Sequence, residues 1–165
     1  MTFSLRESVH LVSDPKNLDA SVEEVFGLML GIHCTAVADT SKMHLKVEQE
    51  SVTSVVGLGG VLSGACVFRC EANTAMKIAA AMTGMEFQEV DNTVKDGIGE
   101  ICNMLAGAWK AKVPELAANC GLSVPAVITG HDYNLHVQAP EFELRRCYGF
   151  DDASFEVTIV CDNLQ

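Results

Sequence analysis

The chain has 165 residues, of which 48% are hydrophobic and 20% are charged, and its formal net charge is -11. This length predicts one domain over residues 1–165 with a sizeable buried core, and the composition excludes an intrinsically disordered protein. The acidic balance argues against a nucleic-acid partner, because phosphate binding needs clustered Lys and Arg.

The first half of the chain alternates between helical and strand patterns. Its predicted elements are, in order, a helix over 17–31, strands over 34–42 and 51–60, and a helix over 72–83. The tract 57–68, GLGGVLSGACVF, is too rich in glycine for a helix and predicts a hairpin that turns near 62–64. Gly31 and Gly84 stand where the two helices are expected to end.

The second half is predicted to contain one long helix and three strands. The strands are expected over 122–130, 141–150 and 154–161. Asp91, Asn92 or Thr93 is expected to cap the long helix, with Thr93 and Asp96 spaced as a capping box, and Pro114 to kink or restart it. Helices interspersed with antiparallel strands indicate an α+β domain.

The long helix carries a narrow polar side. At about 100° per residue, five residues of the segment DGIGEICNMLAGAWK fall within an arc of roughly 80°, and we call them the polar stripe: Asp96, Glu100, Asn103, Gly107 and Lys110. Gly99 and Ala106 flank this stripe. Glycines at exposed helical positions cost roughly 1 kcal/mol each relative to alanine. We therefore expect another molecule to approach this bare surface closely.

A weak internal repeat relates the first helix to the long one. Residues 24–31 align with residues 100–107, matching the apolar positions, the glutamate and the final glycine. Gly27 stands where the second copy has Asn103. If the two helices are pseudo-symmetric partners, only the second keeps the acid and the carboxamide together.

Membrane, disulfide, metal and nucleotide signals are weak or missing. No run approaches the roughly 20 apolar residues that span a bilayer, and the amino terminus lacks a signal-peptide pattern, so we expect a cytoplasmic protein. The seven cysteines form no CxxC, which favours buried reduced thiols. The five histidines are scattered without HExxH or HxH, and no phosphate-binding loop is matched, so we expect no metal or cofactor in this chain.

The spacing Asp96-x-x-x-Glu100-x-x-Asn103 resembles the D/S-xxx-E-xx-N signature of the CheC/CheX/FliY family of chemotaxis phosphatases. The glycine-rich strand pair, the helix after it and the Ser-x-Pro segment SVPAVITG also resemble this family, and the similarity extends from about residue 18 to residue 160. CheC-branch proteins usually carry the signature twice and CheX-branch proteins once. Because Gly27 replaces the first asparagine, the chain is CheX-like.

This resemblance implies a CheC-like pseudo-symmetric fold and hydrolysis of the phospho-aspartate of a CheY-type response regulator. Asn103 would position the attacking water, and Glu100 would pair with the regulator's lysine. Mg²⁺ is expected on the regulator, and homodimerisation through the sheet is an option that the family offers. Further partner contacts are expected from Asp96, Gly99, Ala106, Gly107 and Lys110. For Asp96, near the helix start, we expect helix capping rather than partner contact, because its negative charge favours the helix dipole. Lys110 is most simply a surface charge.

Three other interpretations remain open. In the first interpretation, Glu100 and Asn103 are ordinary solvated residues without a function. In the second, the chain is a non-catalytic adaptor or dimerising module of the same fold. The third is a thiol-based redox sensor that uses Cys66 and Cys70, which would share one face of a strand.

Overall fold

The computed structural model describes residues 4–37, 50–131, 133, 136–138 and 140–165. Its helical elements are a 3-10 turn at Leu5–Ser8, α1 Val9–Val12, α2 Pro15–Val22, a π-helix at Glu23–Met29, α3 Ala72–Thr83, α4 Asn92–Ala111 and α5 Pro114–Asn119. Its strands are β1 Thr35–Ala36, β2 Ser51–Gly60, β3 Leu62–Glu71, β4 Cys120–Leu122, β5 Ala126–Gly130, β6 Phe142–Phe150 and β7 Ala153–Leu164. Every strand pair is antiparallel, which confirms the α+β class.

The predicted bounds of β2 and α3 match the structure, whereas the first helix differs. It begins at Pro15, where Asp14 caps it by accepting a hydrogen bond from the backbone N–H of Lys16 at 3.0 Å. Its second half is a π-helix, which apolar spacing alone did not predict. Of the strand expected over 34–42, residues Thr35–Ala36 form β1, and the part from residue 38 onward lies outside the described residues.

The start of α4 corrects two predictions about capping. Asp91 is the N-cap, and its Oδ1 accepts a hydrogen bond from the backbone N–H of Val94 at 2.9 Å. The predicted capping box of Thr93 and Asp96 is wrong, because Thr93 already lies inside the helix. Asp96 is exposed in the second turn and does not cap it. Pro114 restarts the chain as α5, which confirms that prediction.

The hairpin between β2 and β3 turns at Val61, slightly before the predicted position. Gly60 has a φ of 117°, which favours glycine at this turn. Gly64 has a φ of 156° at a bulge where the register of β3 against β7 shifts. A side chain on Gly64 would overlap the carbonyl of Val160 in the neighbouring strand, so the close strand approach requires glycine.

The sheet topology gives the internal repeat a structural meaning. The strand order is β1-β6-β7-β3-β2, and both β4 and β5 pair with the outer side of β2. Exchanging β1, β2 and β3 with β5, β6 and β7 leaves the order β1-β6-β7-β3-β2-β5 unchanged when it is read from the other end. The pseudo-two-fold axis therefore lies between β3 and β7, and α2 with its π-helix corresponds to α4.

The apolar side of α4 is anchored in the core. Its large apolar residues are fully buried, each at 0% exposure: Ile98, Ile101, Leu105 and Trp109. Phe26 of the π-helix stacks on Phe155 of β7 at 4.6 Å between ring centroids, which joins the first helix to the same core. Burying a side chain of this size contributes about 2 kcal/mol, so this anchoring fixes which side of α4 faces outward. No helix in the described part of the chain is long and apolar enough to cross a bilayer.

Candidate functional site

The polar stripe lies on the outward side of α4. Asp96 and Glu100 are exposed, whereas Asn103 and Gly107 are half-buried. Within the described residues, the side chains of Asp96, Glu100 and Asn103 form no hydrogen bond or ion pair. The carboxylate of Glu100 and the carboxamide of Asn103, about one helical turn apart, therefore remain available to an outside molecule.

Lys110, at the far end of the polar stripe, is engaged within the chain. Its Nζ donates hydrogen bonds to the carbonyl of Cys120 at 2.7 Å and to that of Ala117 at 3.2 Å. Ala117 belongs to α5, and Cys120 follows that short helix directly. The amine thus satisfies carbonyls at the end of α5 and braces α5 against α4.

Gly99 and Ala106 correct the expectation that the edge of the stripe is open. Both residues are buried, so neither presents a surface to a partner. A Cβ placed on Gly99 would lie 3.4 Å from both Pro125 Cβ and Val127 Cγ2. Gly99 therefore lets β5 and its preceding loop pack closely on α4. Gly107 is different, because a Cβ there would meet no atom within 4 Å.

The loop before β5 is fixed to β2 as well as to α4. The backbone N–H of Gly57 donates to Ser123 Oγ at 2.7 Å, and the backbone N–H of Ser123 donates to the Gly57 carbonyl at 2.9 Å. A Cβ on Gly57 would lie only 3.1 Å from Ser123 Oγ. The hairpin predicted over 57–68 does not include this contact between Gly57 and Ser123. A glycine inside a strand is itself a signal of close backbone approach.

The pseudo-symmetric position on the first helix offers no free acid and carboxamide pair. Glu24 Oε2 accepts a hydrogen bond from Lys112 Nζ at 2.7 Å, which engages that carboxylate within the chain. The carboxyl group of Glu23 occupies the space where a side chain on Gly27 would stand. The wider π-helical turn also changes how residues three apart face each other.

The cysteines give no support to the redox interpretation. Cys66 and Cys70 are both at 0% exposure, and burial raises the pKa of the Cys70 thiol, with the charge of Glu71 as a second cause. The thiol of Cys102, on α4, lies against the strand that contains Cys66. Its Sγ donates to the Cys66 carbonyl at 3.4 Å and to the Ser54 carbonyl at 3.5 Å. Thiols buried in this way are unreactive. Among the described residues, no three His, Cys, Asp or Glu side chains are grouped so that they could hold a metal ion.

Comparison with known proteins identifies relatives of this chain. The family model described as chemotaxis phosphatase CheX matches residues 52–144. The chain is 30% identical over 119 residues to the CheY-P phosphatase CheX of Thermotoga maritima, and the match covers 72% of this chain and 76% of that protein.

Solved structures show the same fold. The crystal structure of the chemotaxis protein CheX from Vibrio vulnificus superposes with a TM-score of 0.73 at 18% identity, covering 88% of this chain and 94% of that one. The CheX chain of a CheX-CheY-BeF3-Mg complex from Borrelia burgdorferi gives a TM-score of 0.70 at 20% identity, with coverage of 92% and 99%. These likenesses confirm the predicted CheC-like α+β fold.

Proposed function

The chain belongs to the CheX family of chemotaxis phosphatases, and on that basis we propose that it hydrolyses the phospho-aspartate of a CheY-type response regulator. The Thermotoga maritima relative is a CheY-P phosphatase, and the Borrelia burgdorferi structure is a CheX-CheY complex. Family membership and the unpartnered side chains of Glu100 and Asn103 support the same activity. The observation that carries the proposal is the pair Glu100 and Asn103, which has no partner within the described residues.

Asn103 positions the water that attacks phosphorus. Its Oδ1 accepts a hydrogen bond from the water, and its Nδ2 donates one to a phosphoryl oxygen. The water oxygen forms the new bond to phosphorus, the aspartyl carboxylate leaves with the electron pair of the broken bond, and the water's proton passes to the released phosphate. A carboxylate is a good leaving group, so orientation contributes more than basicity, and a carboxamide is sufficient.

Glu100 docks the regulator. Following the family resemblance, the regulator supplies Mg²⁺ and a lysine at its phosphorylation site, and the exposed Glu100 carboxylate pairs with that lysine. A charge-assisted hydrogen bond of this kind fixes the orientation of α4 in the cleft. Gly107 leaves room beside this pair, because no atom beyond its chain neighbours and the backbone of its own helix lies within 4 Å of the Cβ position.

A non-catalytic adaptor of the same fold is the alternative, and phosphate release separates the two. Each candidate response regulator is phosphorylated with a small acyl phosphate, and release of inorganic phosphate is followed with and without this protein. A phosphatase accelerates release from at least one regulator in a concentration-dependent manner. Binding to a BeF3-loaded regulator without any acceleration would instead identify an adaptor.

A further inference from the structure

An exposed apolar side chain stands on the loop that packs against the edge of the polar stripe. Val124 is 87% exposed, the highest value among the exposed large hydrophobic residues in the described part of the chain. We propose that Val124 is a second docking residue, which determines affinity for the same phosphorylated response regulator that Glu100 and Asn103 engage. This inference rests on the proposed function and adds a contact to it.

The position of Val124 follows from its neighbour. Pro125 packs against Gly99, with 3.4 Å between its Cβ and the Cβ position of that glycine. On a helix, Gly99 is adjacent to Glu100 and one turn from Asn103. None of the described peptide bonds is cis, so the Cα atoms of Val124 and Pro125 are about 3.8 Å apart. Val124 therefore stands one residue away from the contact that borders the catalytic pair.

Hydrogen bonds and a proline restrain the backbone of the loop around Val124, although the side chain of Val124 is exposed to solvent. Ser123 exchanges two backbone-linked hydrogen bonds with Gly57, and its Oγ also donates to the Val124 carbonyl at 3.1 Å. Pro125 has a fixed φ and restricts the backbone of the residue before it. Hydrogen bonding on one side and proline on the other leave Val124 little conformational freedom to lose on binding.

This combination suits a docking contact. An apolar side chain that stays in water contributes little to the fold, and a restrained backbone loses little entropy when a partner covers the residue. Charged groups across an interface fix register more than they add affinity, so an apolar neighbour can supply the affinity. Val124 would supply buried apolar area, whereas Glu100 supplies the directional contact.

The test separates affinity from catalysis. Binding of the parent, Val124→Ala and Val124→Asp is titrated against a CheY-type regulator loaded with BeF3 and Mg²⁺, and phosphate release is measured at saturating regulator. Val124→Ala should weaken binding about three- to tenfold, and Val124→Asp should weaken it by more than about tenfold, because one loses apolar area and the other buries a charge. The maximal rate should stay within about twofold of the parent, since neither variant alters the groups that position water.

Leu28→Asp is the matched control. Leu28 is 78% exposed on the π-helix, so the change adds the same charge at a similarly exposed apolar position. Its affinity should equal that of the parent. Parent-like binding by both Val124 variants, or equal weakening by Val124→Asp and Leu28→Asp, would overturn the docking role.

Failure of this inference can be distinguished from failure of the proposed function. If the parent protein binds the regulator without accelerating hydrolysis and the Val124 variants lose affinity, the docking role is supported and the phosphatase activity is excluded. Parent-like affinity of the Val124 variants alongside measurable hydrolysis removes the docking role alone. A protein that binds none of the regulators overturns both.

Discussion

At the residue scale, what distinguishes Glu100 from its pseudo-symmetric counterpart is the state of its carboxylate. Glu24 is paired with Lys112, whereas Glu100 has no partner among the described residues. The first carboxylate is used inside the molecule, and the second is free for an outside cation. Equivalent residues of one repeat have thus taken different physical roles.

We predict that Glu100→Lys weakens binding of a BeF3-loaded regulator more than Glu100→Ala does. Lysine would place a cation against the regulator's expected lysine, and like charges in direct contact reject a partner strongly. The dissociation constants are measured by titration, with Glu24→Ala as the control. That control removes only an exposed ion pair, which contributes about 1 kcal/mol or less to stability, and should bind like the parent. Unchanged affinity of Glu100→Lys would exclude this carboxylate as the docking group.

The sequence predicted that Glu100 and Asn103 face outward, but it did not predict the whole edge of the polar stripe. Helical periodicity orients Glu100 and Asn103 correctly, because it depends only on their own helix. Periodicity did not predict the environment of Gly99, because Pro125 and Val127, which cover it, belong to a segment more distant in sequence. A helical wheel contains no information about such tertiary neighbours.

At the scale of elements, predictions succeeded where local signals were strong. β2 and α3 have the predicted bounds, and Gly84 ends α3 with a φ of 72°. The π-helical half of the first helix was missed, since its apolar spacing also fits an α-helix. The cap of α4 was ambiguous among three adjacent polar residues, and only the backbone geometry selects Asp91.

We predict that Asp91→Ala lowers stability by about 1 kcal/mol, the usual cost of losing a helix N-cap. For a chain of this size, that loss lowers Tm by about 2 to 4 °C, which thermal unfolding followed by circular dichroism can detect. Thr93→Ala is the matched control and should change Tm much less, because Thr93 forms no cap. A larger decrease in Tm for Thr93→Ala than for Asp91→Ala would show that Thr93 caps the helix, as the capping-box prediction requires.

At the scale of the whole molecule, the two halves of the repeat meet at the centre of one sheet. β3 and β7 are the strands next to the pseudo-two-fold axis, and they pair along most of their length. The sequence indicated the repeat through the two helices, but it could not predict which strands join the halves. That arrangement depends on long-range pairing between strands far apart in the chain.

We predict that Gly64→Ala destabilises the fold by about 3 kcal/mol, because the new Cβ would overlap the Val160 carbonyl and strain the backbone at the centre of the sheet. Denaturant unfolding gives the free energy directly. Gly59→Ala is the control, since a Cβ at Gly59 meets no atom within 4 Å, and it should stay within about 0.5 kcal/mol of the parent. Equal small effects of both substitutions would show that the sheet tolerates the extra atom by moving apart.

The central claim is that Asn103 positions the attacking water, and single-turnover hydrolysis by Asn103→Ala tests it most directly. Phosphate release from a phosphorylated CheY-type regulator is measured at saturating concentrations of the parent and of the variant, and affinity is measured separately with the BeF3-loaded regulator. We predict a loss of about 100-fold or more in rate, with affinity within about threefold of the parent, because the side chain acts on water rather than on docking. A variant that hydrolyses as fast as the parent, or one whose loss of rate is explained by lost affinity, would contradict the account.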